Sequence, residues 1–236
     1  RIGPEKISEV AGRLGFGDRL MIDVAGETRG VVPNENWKRN SLGQSWFDGD
    51  TVQASIGQGY VLTTPLQLAT MTARIANGGR AVRPHLIVPD LLYPAEDLGF
   101  KAEHLEIVRR AMDRVTNTDQ GTAYRYTQVE EPSLQIAGKT GTAQVARLSV
   151  GERLRMLEDV RSLDYDRRNH ALFVGYGPVK NPRYACAVII EHGDSGGRSA
   201  GPVVLDLLQA AIVGNSGGQP NMVNDRYNLV GRNDEA

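Results

Sequence analysis

Ala137-Gly138-Lys139-Thr140-Gly141-Thr142-Ala143-Gln144-Val145 is the stretch on which the reading of this chain turns. One cation, two hydroxyls and two glycines stand between Gly138 and Thr142, and the flanks suit an extended strand. A strand sends alternate side chains to opposite faces, so Lys139 and Gly141 share one side and Thr140 and Thr142 the other. A twisted or bulged edge strand can still aim Lys139 and both hydroxyls at a single ligand. Gly141 lets a bound backbone approach without a Cβ in the way. Lys139 adds a positive potential that suits a carboxylate. The same residues also fit a glycine-interrupted surface strand with a solvated lysine.

Working outward, the segments after Gln135 follow period two. Gln135–Val145, His170–Tyr176 and Tyr184–Glu191 are rich in Val, Ile, Tyr and Phe, and Pro178-Val-Lys-Asn-Pro182 reads as a tight connection. Three such strands in succession predict an antiparallel meander. Val203–Val213 is apolar nearly all round, so it is predicted as a closing helix lying on that sheet. Before the strands, Pro4–Phe16 reads as a helix with Pro4 at its first position and glycines at its end. Thr64-Pro65-Leu66-Gln67 carries a capping box, so a helix is predicted from there to Ala76. Glu103–Val115 shows an amphipathic stripe of Leu105, Val108, Ala111, Met112 and Val115. Ala81–Val88 reads as extended. Residues 18–50 hold no sustained period and are read as a long ordered loop with one short strand near Gly30–Val32.

The bulk numbers exclude several classes. A net charge of −1 over 236 residues gives no field for nucleic acid. The single cysteine, Cys186, excludes an internal disulfide framework and a zinc finger, and its setting reads as a buried strand. No apolar run approaches the ~20 residues that span a bilayer. The four histidines are scattered, with no metal-ligand spacing, so no metal or other cofactor is expected. Arg1-Ile2-Gly3 has neither an initiator Met nor a signal peptide, so the chain is expected to start inside a longer protein.

Two further stretches stay open or are set aside. Arg147–Asn169 is highly charged and reads equally as a solvated helical excursion or as a rim beside a cleft. Gly193-Asp194-Ser195-Gly196-Gly197 copies the nucleophile signature of trypsin-like serine proteases. That chemistry needs a histidine base and a buried aspartate earlier in the chain. Neither His85 nor His104 stands in such a setting, and one cysteine excludes that family's disulfides. The five residues are therefore read as a flexible loop leaving a strand.

Lys139-Thr140-Gly141 matches the third active-site motif of penicillin-binding proteins and serine β-lactamases. The surroundings extend the likeness. Trp46-Phe-Asp-Gly-Asp-Thr51, Ser55-Ile-Gly-Gln-Gly-Tyr-Val-Leu-Thr-Thr-Pro-Leu-Gln-Leu-Ala-Thr70, Asp119-Gln-Gly-Thr-Ala123, His170–Pro178 and Asn181–His192 resemble class B penicillin-binding proteins in order and spacing. With Gly57-Gln58-Gly59 and Thr64-Pro65, the chain resembles the elongation-specific subfamily, penicillin-binding protein 2, more than the division-specific one. The resemblance covers residues 1–213, and 214–236 reads as a polar, frayed tail.

The resemblance implies an α+β fold, an antiparallel sheet with flanking helices plus a mainly helical and loop part, incomplete in this chain. It implies a serine D,D-transpeptidase that cleaves D-Ala-D-Ala stem peptides and cross-links peptidoglycan, with β-lactams as mimics. By it, Lys139, Thr140, Gly141 and Thr142 bind substrate, Lys139 supports proton movement, and the Thr142 N–H forms half of the oxyanion hole. The companion motifs Ser-x-x-Lys and Ser-x-Asn/Asp are expected outside the chain, which alone is expected to be inactive. A non-catalytic β-lactam-binding sensor of the same fold is the alternative. Expected partners are stem peptides, β-lactams, the N-terminal half of the same domain, and elongation-machinery membrane proteins such as a lipid-linked glycan polymerase, with no nucleic acid. The expected location is the periplasmic face of the bacterial inner membrane.

Overall fold

The computed structural model describes residues 2–86, 95–145 and 164–214. Its frame is a three-stranded antiparallel sheet of β1 (Ala137–Ala143), β2 (His170–Gly177) and β3 (Tyr184–Ile190), in that spatial order. The meander predicted from the alternating pattern is present. Lys139 stands opposite Val174, Gly141 opposite Leu172 and Thr142 opposite Ala171. The turn between β2 and β3 closes with the Arg183 N–H donating to the Gly177 carbonyl at 3.0 Å.

Six helices of the described residues precede β1: α1 (Pro4–Leu14), α2 (Glu35–Leu42), α3 (Asp48–Ser55), α4 (Pro65–Ala76), α5 (Ala102–Asn117) and the one-turn α6 (Tyr124–Thr127). A seventh, α7 (Gly201–Gly214), follows β3. The middle strand β2 explains the layering. Its Ala171 and Phe173 pack with Val204, Leu205 and Leu208 of α7. Its Val174 and Tyr176 pack on the other face with Ile75 and Ala76 of α4 and Met112 of α5. The sheet is thus sandwiched between α7 and the α4–α5 pair, and burial of both faces accounts for the apolar run Ala171–Val174 in β2.

The capping box of α4 is present. Thr64 Oγ1 accepts from the Gln67 N–H and Gln67 Oε1 accepts from the Thr64 N–H, each at 3.1 Å. Gln67 is fully buried because its amide nitrogen also donates to the Asp18 and Arg29 carbonyls, at 2.9 and 2.8 Å. One side chain therefore starts a helix and pins the preceding loop.

Residues 18–50 are not one long loop. Asn34 Oδ1 accepts from the Trp37 N–H at 2.8 Å and starts α2, and α3 follows from Asp48. In α2 only Lys38 is buried, so there is no apolar period to read. The expected strand near Gly30–Val32 is a single bridge, Val31 to Leu62. In α5 the stripe is narrower than expected: Leu105, Met112 and Thr116 are buried, while Val108 is 41% exposed. The extended reading of Ala81–Val88 is described only to Leu86, and Arg147–Asn169 only from Asp164. The tail from Asn215 lies outside the described residues.

Of the segment 193–197, read as a flexible loop, the last two residues belong to a regular element. Gly196 and Gly197 are buried and open a wide helical turn, Gly196–Ala200, that runs into α7. A Cβ on Gly196 would lie 2.3 Å from the Leu172 carbonyl oxygen and 2.7 Å from that of Gly141. The turn therefore crosses the β1–β2 ladder at backbone contact. Gly196→Ala is expected to destabilise the protein by roughly 1–3 kcal/mol, as overpacking does. Gly49→Ala, where a Cβ meets nothing within 4 Å, should stay within about 0.5 kcal/mol. Urea-denaturation midpoints of the two variants check this, and equal midpoints would contradict it.

Candidate active site

β1 pairs with β2 and with no other strand among the described residues. In an antiparallel ladder each residue points its N–H and C=O the same way, alternately toward the partner and away. Two contacts show which residues face outward. Lys139 Nζ donates to the Thr140 carbonyl at 2.7 Å, and Gln58 Nε2 donates to the Thr142 carbonyl at 2.9 Å. Thr140 and Thr142 thus present backbone donors and acceptors along one free edge. Lys139 Nζ also reaches Thr140 Oγ1 at 3.2 Å, so the ammonium curls over that edge.

Two loops flank the edge. From the end of α5 comes Thr122, whose hydroxyl lies 3.4 Å from that of Thr140. From the end of α3 comes Gln58, between Gly57 at φ 72° and Gly59 at φ 70°. Both glycines adopt the left-handed backbone that favours glycine, and together they turn the chain sharply enough to present Gln58 toward β1. The Gln58 N–H donates to the Gln53 carbonyl at 2.9 Å, which fixes the turn to α3.

The turn is anchored by a packed ion pair. Lys38 Nζ and Asp50 Oδ2 are 2.5 Å apart, with side chains 3% and 17% exposed. Lys38 Nζ also sits 4.9 Å from the Phe47 ring centre and 5.5 Å from that of Tyr60, and Tyr60 packs on Trp37 at 5.4 Å. Partial burial pushes the Asp50 carboxyl upward, but the Lys38 hydrogen bond, the Phe47 N–H and the Lys38 charge together outweigh it. Its pKa therefore lies below the ordinary aspartate value.

The protease-like signature has no catalytic setting. Ser195 Oγ accepts from the Arg198 N–H at 3.3 Å and so caps the wide turn. His192 packs against His170 at 4.9 Å, and its Nδ1 lies 3.1 Å from the Arg168 carbonyl. Cys186 is half-buried, and that burial pushes its thiol pKa up, away from a reactive thiolate.

The model of the penicillin-binding protein transpeptidase domain matches residues 1–209. The chain belongs to the penicillin-binding protein transpeptidase family. It is 36% identical to the peptidoglycan D,D-transpeptidase MrdA of Acinetobacter baumannii over 210 residues, which are 85% of this chain and 30% of that protein. It is 30% identical to Escherichia coli K12 MrdA over 225 residues, 91% of this chain and 34% of that one. Among solved structures, Helicobacter pylori PBP2 in complex with MreC is 33% identical with a TM-score of 0.73, covering 86% of this chain and 35% of that one. Pseudomonas aeruginosa PBP2 in complex with WCK 5153 is 34% identical with a TM-score of 0.72, covering 93% and 46%. The chain spans about a third of the length of the curated relatives it matches.

Within this family frame, the structure brings Lys139, Thr140 and Thr142 to one edge and adds Gln58 and Thr122, which the sequence reading had not singled out. Their signal is present in the sequence, since Gly57-Gln58-Gly59 and Asp119–Ala123 both belong to the stretches that resemble the family. What the sequence could not show was that these stretches meet β1. One motif expectation needs correcting. A Ser-x-Asp spacing does occur, at Ser162-Leu163-Asp164, but it follows the Lys-Thr-Gly strand, and Ser162 and Leu163 lie outside the described residues. No Ser-x-x-Lys occurs.

Asp50→Asn leaves the buried Lys38 cation without its counter-charge and is expected to cost about 3–5 kcal/mol. The pH dependence follows from the lowered Asp50 value. The unfolded carboxyl binds its proton more readily, so the stabilisation is complete above the unfolded value of ~3.9 and disappears as pH falls through the folded value. Denaturation midpoints should therefore fall with acid less steeply in Asp50→Asn than in wild type. Identical acid profiles would contradict the assignment.

Proposed function

We propose that this chain is the substrate-holding part of a serine D,D-transpeptidase that cross-links peptidoglycan during cell elongation. The observation that carries the reading is the free edge of β1, where Lys139 and the outward backbone of Thr140 and Thr142 converge. An extended stem peptide can add to such an edge through main-chain hydrogen bonds. The Lys139 ammonium and the hydroxyls of Thr140 and Thr142 would receive its terminal carboxylate. The Thr142 N–H would take the carbonyl oxygen as it becomes an oxyanion, and such a donor is worth roughly 2.7–4 kcal/mol of transition-state stabilisation.

The remaining chemistry needs a nucleophile. A serine attacks the D-Ala-D-Ala carbonyl, terminal D-Ala leaves with the proton, and an amine of a neighbouring stem takes over the acyl group. β-Lactams occupy the same edge and stall at the acyl-enzyme. In our reading the serine comes from a Ser-x-x-Lys segment outside residues 1–236, packed against this sheet. Residues 1–213 then form the C-terminal part of the domain. The natural partners are stem peptides and the machinery of wall elongation, at the periplasmic face of the inner membrane. The solved complex of Helicobacter pylori PBP2 with MreC supports a protein partner for a member of this family.

Fluorescent penicillin should label the full-length protein and leave isolated residues 1–236 unlabelled. Lys139→Ala in the full-length protein should slow labelling by about 100-fold or more. Covalent labelling of the isolated chain, or an unchanged rate in Lys139→Ala, would overturn the reading. A sensor of the same fold would acylate without joining lipid-linked precursor into cross-linked product, so that turnover assay separates the two.

A further inference from the structure

We propose that Gln58 is a gate over the Thr142 carbonyl of the β1 edge that lowers the preference of that edge for amide-bearing acyl donors. Its side chain caps the Thr142 carbonyl and is exchanged for an amide N–H of the incoming acyl donor. This rests on the transpeptidase reading and goes beyond it, since it concerns which acyl donors the edge accepts.

An added peptide strand needs both a donor and an acceptor from each outward-facing residue. Thr142 offers its N–H to the reacting carbonyl and its C=O to an amide N–H further along the donor. In this structure the C=O already accepts from Gln58 Nε2 at 2.9 Å, over 84 residues of sequence separation. That is an ordinary hydrogen-bond length, so the acceptor is satisfied. A carbonyl oxygen has two lone pairs, but on the outer edge the approach along the strand plane is the one a pairing peptide must use.

Gln58 is suited to leave. It is half-buried, Thr142 is exposed, and the flanking Gly57 and Gly59 give its backbone room to turn. The base of the loop is held separately by Tyr60 against Trp37 and Lys38. Release of the Gln58 side chain therefore need not unfold the loop. A ligand with an amide N–H replaces the lost bond. A ligand without one leaves Gln58 in place and gains nothing from its removal.

The test measures acylation rates of the full-length protein by two penams. One is benzylpenicillin, which has a side-chain amide N–H. The other is penicillanic acid, the same ring system with no side chain, followed by residual labelling with fluorescent penicillin. Gln58→Ala is expected to raise the benzylpenicillin rate about 2- to 10-fold, the range set by the net worth of one neutral hydrogen bond. The penicillanic acid rate should stay within about 2-fold. Gln58→Asn, too short to reach Thr142, should behave like Gln58→Ala and guards against a folding defect in one variant. A fall in both rates, or an equal rise in both, would overturn the gate, because a purely structural role does not change their ratio. If wild type is acylated by neither penam, the transpeptidase reading itself fails. Acylation of wild type with an unchanged ratio in the variants sinks the gate alone.

Discussion

A strand at the edge of a sheet keeps half of its backbone hydrogen-bonding groups outside the ladder, and that constraint organises this protein around β1. Such an edge is a template for any extended chain, which natural proteins manage by covering or charging it. Here Lys139 and Gln58 supply donors to two successive outward carbonyls, Thr140 and Thr142. The edge is thus kept in order by side chains rather than by another strand among the described residues. A covering of side chains can be exchanged for a peptide ligand more readily than a paired strand can. Under the proposed function, the same backbone property that would invite aggregation becomes a binding surface.

The rest of the fold sets where that edge lies. β2 is buried on both faces, between α7 and the α4–α5 pair, so it fixes the plane of the sheet. The turn at Gly196 crosses the β1–β2 ladder at backbone distance and closes the face of β1 next to α7. On the outer side, the buried Lys38–Asp50 pair and its aromatic neighbours hold the base of the Gln58 loop. At the other end, Thr122 reaches Thr140 from the end of α5. Each of these elements is remote from the others in sequence, yet all of them act on residues 139–142.

The parts of this arrangement legible in the sequence were those with a local cause. Thr64 and Gln67 spell a capping box, and period two in 135–190 spells strands. The motif residues Lys139 to Thr142 were picked out, and family likeness gave them roles. The helices α2 and α3 were missed because their stability comes from polar caps and one buried ion pair, which leave no apolar period. Gly193–Gly197 looked like a loose loop because glycine composition is the same for flexibility and for close backbone packing. Gln58 was visible as a letter in a motif, but its partner lies 84 residues away and only tertiary structure joins them.

The proposed function places substrates along the outer edge of Thr140–Thr142. A crystal structure of the full-length protein acylated by benzylpenicillin addresses it most directly. The expected result is an ester carbonyl oxygen about 2.7–3.1 Å from the Thr142 nitrogen, as an oxyanion-hole donor requires. The ligand carboxylate should lie beside Lys139 and Thr140, and the ligand amide on the Thr142 carbonyl in place of Gln58. An adduct held without contact to residues 139–142 would contradict it.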